Sequence, residues 1–319
     1  MSNFPKRVQI KEEGPREGFQ IEKTFVPTAR KIEFINALAD TGLKTIQIVS
    51  FVSPKVVPNM ADAEEVVAGI TPKPGVTYTG LALNDKGIER ALATKRLTVK
   101  GSITLCASES FLKRNQNRTL EQQLAAQRES IALYKQHGLP IEGAGISAAF
   151  GCNFEGDVPV ARIMGLAADI FTVAAEQDVA IKSFALMDTM AWGTPDRIKR
   201  VLGALQDKYP DLEYILHLHD TRGMGIANAY AGLEMGVAHF DACVAGLGGC
   251  PFAGHKGAAG NVCTEDLAFM CAEMGIETGL DLEKLIECAR LAEDIVGHPL
   301  PGSVMVGGSL AKLRQKVAA

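Results

Sequence analysis

Apolar residues recur along this chain in two rhythms. Short β-rich runs, apolar at alternate positions or throughout, are separated by longer stretches whose apolar positions fall three and four apart. The runs predict strands over residues 8–12, 45–50, 76–81, 99–105, 141–148, 180–186, 213–219 and 239–245. The longer stretches predict helices, among them 28–39, 61–68, 119–137, 159–177, 194–207 and 226–235. Pro159 suits the first helical position, where a missing N–H costs no hydrogen bond. Eight strand–helix units in this order predict an α/β fold, the (β/α)8 TIM barrel rather than a doubly wound sheet. A further helix is predicted over 282–296, ahead of the breaker-rich Gly297-His298-Pro299-Leu300-Pro301-Gly302. With no low-complexity linker, the expectation is a single barrel domain over 1–319 with a helical extension from about residue 275.

The chemistry-bearing residues gather where predicted strands end. Alternate residues of a strand share a face, so His217 and His219 project side by side and Leu216 and Leu218 point the other way. The strand then meets Asp220-Thr221-Arg222-Gly223, which puts the pair at the carboxyl end, where a βα barrel carries its chemistry. Such a pair is a natural metal chelate, although two histidines at a strand end also serve as ordinary hydrogen-bonded structure. The first predicted strand runs into Glu13-Gly14-Pro15-Arg16-Glu17-Gly18, a Gly-Pro turn that sets a cation and a carboxylate on a tight loop. The sixth ends at Met187-Asp188-Thr189, and the eighth at Gly246-Leu247-Gly248-Gly249-Cys250-Pro251, with Gly260-Asn261 beyond. A lone cysteine is usually packing, but a thiol on a glycine loop at the barrel mouth is a better catalytic candidate.

Composition narrows the class. The chain has 319 residues, 47% hydrophobic and 22% charged, with a net charge of −4, an ordinary globular balance whose bulk charge does not favour nucleic acid. No apolar run reaches the ~18 residues of a membrane span. The opening Met1-Ser2-Asn3-Phe4-Pro5-Lys6-Arg7 has no apolar signal core. Seven cysteines, widely spaced and without a CxxC pair, argue against a disulfide framework and for a reducing cytoplasm.

Several of these segments resemble 3-hydroxy-3-methylglutaryl-CoA lyases. They are Gly14-Pro15-Arg16-Glu17-Gly18-Phe19-Gln20-Ile21-Glu22-Lys23, Ser50-Phe51-Val52-Ser53-Pro54-Lys55, Asp188-Thr189 with Gly193-Thr194-Pro195, and His217-Leu218-His219-Asp220-Thr221. The most specific is Val244-Ala245-Gly246-Leu247-Gly248-Gly249-Cys250-Pro251, with Gly260-Asn261 and Thr264-Glu265-Asp266 after it. The resemblance covers roughly residues 8 to 270 in the family's order. It implies a TIM barrel and a metal-dependent retro-Claisen cleavage of a 3-hydroxyacyl-CoA to acetyl-CoA and a keto acid. It also implies metal ligands at Glu17, His217, His219 and Asn261, and proton transfer or enolate stabilisation by Arg16, Asp188, His217 and Cys250. Substrate contacts are implied at Gln20, Gln47, Ser50 and Met187. A mixed oxygen–nitrogen shell suits Mg²⁺ or Mn²⁺, with Zn²⁺ acceptable to the imidazoles. A homodimer is also implied.

The chain departs from the family pattern at four positions. Glu17 stands where the family has aspartate, and Gln47 where it has an active-site glutamate; Ala185 and Met187 stand where it has serine and glycine. These changes are expected to retune the acyl group accepted, toward citramalyl-CoA or a methylmalate-like thioester. Two rival readings use the same residues. One is a condensing synthase or aldolase of the same barrel superfamily. The other is a non-catalytic barrel that binds metal or acyl-CoA.

Overall fold

The computed structural model describes residues 4–249 and 260–318. Cys250 and the glycine loop after it, through residue 259, lie outside the described residues. The described residues include eight strands of four or more residues. In chain order they are β1 (Gln9–Glu12), β2 (Thr45–Ser50), β3 (Thr77–Leu81), β4 (Gly101–Cys106), β5 (Ile141–Ser147), β6 (Ser183–Met187), β7 (Glu213–His217) and β8 (His239–Ala242). Helices alternate with them, as the apolar spacing predicts. Among the described residues no helix is long and apolar enough to cross a membrane.

The chain divides into two compact units. A middle unit takes residues 4–5 and Val99–Phe240, and a flanking unit takes Lys6–Thr98, Asp241–Gly249 and 260–318. In the flanking unit β1, β2 and β3 pair in parallel in that order, with Lys11 opposite Thr45 and Thr45 opposite Thr77. The register shifts between Gln47 and Val49. A bulge of this kind carries consecutive residues onto one side, and Ile48, Val49 and Ser50 are all buried. The helix Thr28–Ala39 packs on β2 and on the later helix Leu282–Val296, burying Phe34, Ile35 and Leu38. That later helix has the predicted bounds and ends on Gly297 in the left-handed conformation, where glycine has no Cβ to clash.

In the middle unit β4, β5, β6 and β7 form one parallel ladder, with Gly145 opposite Ala185 and Met187 opposite His217. The helix Val160–Glu176 buries Ile163, Leu166, Ile170 and Val173, the three-and-four spacing of one face. Each such side chain contributes about 1.5–3 kcal/mol when fully buried. The helix Leu120–Gln136 starts on a reciprocal cap: the Thr119 hydroxyl accepts from the Gln122 N–H, and the Gln122 side chain accepts from the Thr119 N–H.

Three expectations shift on inspection. Pro159 is the residue before its helix rather than the first inside it, because its ψ of 150° is extended. His219 lies beyond β7, which ends at His217; the chain there turns on Asp220, whose carbonyl accepts from the Gly223 N–H at 2.8 Å. The turn carrying Arg16 and Glu17 is a short π-helical turn, Gly14–Gly18, at whose start the Glu17 N–H also donates to the Glu13 carbonyl at 2.8 Å.

Candidate active site

Each unit carries a polar cluster at the ends of its strands. In the middle unit, β6 and β7 deliver Met187 and His217 side by side. His219, two residues on, is 3% exposed, and its Nε2 lies 3.1 Å from Nε2 of His217. Two neutral imidazoles meet this way only if one donates; a cation would take a lone pair from each. Asp188 follows directly after β6 and is almost wholly buried. Its N–H donates to the His217 carbonyl at 2.8 Å, so the two strand ends are tied together. Its carboxylate accepts from the N–H groups of Trp192 (2.8 Å) and Gly193 (3.0 Å). Burial pushes the Asp188 carboxyl up to about 6; those backbone donors and the two histidines hold it from rising further.

Met187 covers Gly145. A Cβ built at Gly145 would stand 2.8 Å from the Met187 terminal methyl and 3.2 Å from the Ala185 Cβ. Glycine at 145 therefore leaves room for the thioether that replaces the family's glycine. Trp192 lies over Gly151, and its indole N–H donates to the Asn153 side chain at 2.7 Å.

In the flanking unit, the turn after β1 presents Arg16 and Glu17, and the chain after β8 presents Asn261. The Asn261 amide donates to a Glu17 carboxylate oxygen at 2.9 Å and to the Leu247 carbonyl at 3.2 Å. Both partners are acceptors, which fixes the amide's orientation. The side-chain oxygen, Oδ1, is then left buried with no hydrogen-bond partner. Gly248 makes the approach possible: its φ is +93°, and a Cβ there would meet Asn261 Nδ2 at 2.8 Å and Glu17 Cγ at 3.1 Å. The longer Glu17 side chain thus still reaches an Asn261 partner. Arg16 donates from Nε to Gln47 and from Nη2 to Glu13, and its Nη2 lies 3.1 Å from Glu17. Ser50, at the end of β2, is fully buried, and its hydroxyl has no partner. Gln20 stands half-buried two residues past Gly18.

Two sets of residues had no role assigned from the sequence. Glu13, only 3% exposed, bridges Lys11 and Arg16. Beneath the turns lie two buried carboxylates. Glu12 accepts from the N–H groups of Gly14 and Val244 and from the Thr264 hydroxyl; Glu265 accepts from the Ala245 N–H. Burial raises Glu12 to about 7 and Glu265 to about 8. Glu265 holds Ala245 at a φ of +59°, a left-handed conformation that a non-glycine residue adopts only with support. The signal available in the sequence was a pair of acidic residues, Glu12 and Glu13, at the end of the alternating first strand.

The HMGL-like family model matches residues 7–292. The chain belongs to the HMGL-like family. The mitochondrial hydroxymethylglutaryl-CoA lyase of Gallus gallus is 41% identical over 284 residues, 89% of this chain and 92% of the relative. The hydroxymethylglutaryl-CoA lyase YngG of Bacillus subtilis is 38% identical and covers 93% and 96% of the two chains. Among solved structures, an HMG-CoA lyase from Acinetobacter baumannii in complex with coenzyme A and 3-methylmalate aligns with a TM-score of 0.84. Its identity is 36%, over 97% of each chain. The fold is therefore the (β/α)8 barrel with the expected strand–helix alternation, and this family member is a carbon–carbon lyase. The synthase and silent-barrel readings give way to that membership.

Proposed function

We propose that this lyase cleaves a 3-hydroxyacyl-CoA to acetyl-CoA and a keto acid, with Glu17, His217, His219 and Asn261 as ligands of one divalent cation. The observation that carries the proposal is Asn261 Oδ1, a buried acceptor with no partner, on the same amide whose Nδ2 donates to the Glu17 carboxylate. Leaving such an atom unpaired costs about 1–3 kcal/mol, which a bound cation would remove. Two imidazole nitrogens and two oxygens favour Mg²⁺ or Mn²⁺. When bound, the cation acts as a Lewis acid that polarises the substrate's oxygen-bearing end.

The chain's own residues perform the rest. Asp188, poised near 6, is largely ionised at neutral pH and takes the substrate's hydroxyl proton. The electrons of the breaking carbon–carbon bond pass to the departing acetyl thioester as an enolate. Arg16 supplies the positive partner for that oxygen. Cys250 protonates the enolate carbon, which completes acetyl-CoA.

Met187 supports an acyl group smaller than 3-hydroxy-3-methylglutaryl, because a thioether fills space beside His217. A relative that binds coenzyme A together with 3-methylmalate supports the same direction, toward citramalyl-CoA or a methylmalate-like thioester. One barrel domain with a helical extension from about residue 275, a homodimer and a cytoplasmic setting complete the proposal.

The test is acetyl-CoA release from a panel of 3-hydroxyacyl-CoA thioesters with Mg²⁺ or Mn²⁺ and a chelator control. Metal-dependent cleavage that favours the smaller acyl groups is expected. Met187→Gly should then shift preference toward 3-hydroxy-3-methylglutaryl-CoA by about tenfold or more. Wild-type preference for 3-hydroxy-3-methylglutaryl-CoA would refute the smaller-acyl reading. Undiminished cleavage under chelation would refute the metal site.

A further inference from the structure

Arg16 is the cation assigned to the enolate, so whatever fixes its guanidinium decides where that charge stands. Three groups of the flanking unit surround it. Gln47 accepts from Nε, Glu13 accepts from Nη2, and a Glu17 oxygen lies 3.1 Å from Nη2. Gln47 offers a dipole but no charge. Glu17 is assigned to the metal, which would draw its negative charge away. That leaves Glu13 as the carboxylate committed to Arg16.

Glu13 is itself held. Its other oxygen accepts from Lys11 Nζ, and Lys11 in turn lies 3.9 Å from Asp241 of β8. The result is a line of alternating charge, Asp241, Lys11, Glu13, Arg16. The Glu13 side chain is 4% exposed and that of Arg16 12%, so water screens their contact poorly. Residues two apart at the end of β1 place Lys11 and Glu13 together, and a three-residue step around the turn brings Glu13 under Arg16.

We propose that Glu13 is the positioning carboxylate of Arg16, supplying from the residue just after the first strand the negative charge that glutamine at 47 does not. The proposal rests on the lyase reading for its kinetic consequence only. Glu13 is hydrogen-bonded to Arg16, so its loss frees the guanidinium while leaving Arg16 itself in the chain. Glu13→Gln keeps the shape and removes the charge.

The experiment compares wild type, Glu13→Gln, and Glu13→Gln combined with Gln47→Glu, each first shown to be folded by its melting temperature. For Glu13→Gln, kcat should fall by on the order of tenfold to a hundredfold, with KM changed by less than about threefold. Restoring a carboxylate at 47 should bring kcat back to within about fivefold of wild type. A purely structural ion pair would not be rescued from position 47. In parallel, NMR of arginine-labelled protein reads the Arg16 side-chain N–H signals. They should be in slow exchange in wild type, averaged in Glu13→Gln and restored in the double variant. An unchanged kcat in Glu13→Gln, or a loss that Gln47→Glu does not repair, overturns the proposal. If wild type cleaves no thioester, the lyase reading fails, and the Arg16 signals alone decide on Glu13: no difference between the variants overturns its positioning role.

Discussion

At the scale of single residues, the atom that asks most of its surroundings is Asn261 Oδ1. Asn261→Ala removes this acceptor and also the amide that ties Glu17. The expected outcome is a 10- to 100-fold weaker Mn²⁺ affinity, roughly the loss seen when groups orienting a metal ligand are removed. Titration calorimetry checks it, and wild-type affinity in the variant would exclude Asn261 from the metal shell. Asp188 makes a second claim at this scale. In metal-free protein its carboxyl should titrate near pH 6, well above an ordinary aspartate, because burial outweighs its backbone donors. Carbon NMR of the side chain reads this directly, and a value near 4 would remove the argument for a base poised at neutral pH. The histidine pair and Asp188 were legible in the sequence because each stands beside a strand end in a recognisable motif, and Asn261 because it follows the glycine loop in one. Glu13 was not, because the turn that brings Arg16 back over it and the approach of Asp241 of β8 to Lys11 are set by folding.

At the scale of elements, the turns after β1 and β8 are held from below by Glu12 and Glu265. Their carboxyls sit at about 7 and about 8 in the folded protein, against an ordinary 4.5. Between roughly pH 5 and pH 8 the folded chain therefore keeps protons that the unfolded chain has released. Stability must fall as pH rises through that window. Urea melts at pH 5.5 and pH 8.5 should differ by at least about 1.4 kcal/mol, the worth of one pKa unit, with the lower pH more stable. Glu12→Gln and Glu265→Gln should each flatten the slope, and a stability independent of pH would contradict the buried-carboxyl account. Element positions themselves were largely readable. The strands fall within a few residues of the expected runs, and the helix after Thr119 announces its start with a Thr–Gln cap. The shift between Gln47 and Val49 was not readable, since it is set by pairing with β3 rather than by the local pattern. The helices Asp85–Ala93 and Leu310–Ala318, rich in charge, also went undrawn.

At the scale of the whole molecule, the four proposed ligands are scattered from residue 17 to residue 261, so no short peptide offers the set. Metal binding should then act as folding energy, adding about 2.7 kcal/mol at a hundred times Kd. Mg²⁺ or Mn²⁺ should raise the melting temperature of wild type and leave that of a His217→Ala, His219→Ala double variant unmoved; a shift in both would place the ion elsewhere. The barrel class was legible from the count and order of strand–helix units. The division into a middle and a flanking unit was not, because it depends on contacts between segments far apart in the chain. Gly145 carries a last consequence. A Cβ there would meet the free end of the Met187 thioether at 2.8 Å and the Ala185 carbonyl of the paired strand at 3.0 Å, so the added carbon would press on the methyl and on the ladder together. If Met187 contacts the acyl group as proposed, position 145 would act on substrate choice from the neighbouring strand. A laboratory evolution library confined to wall residues would never sample it.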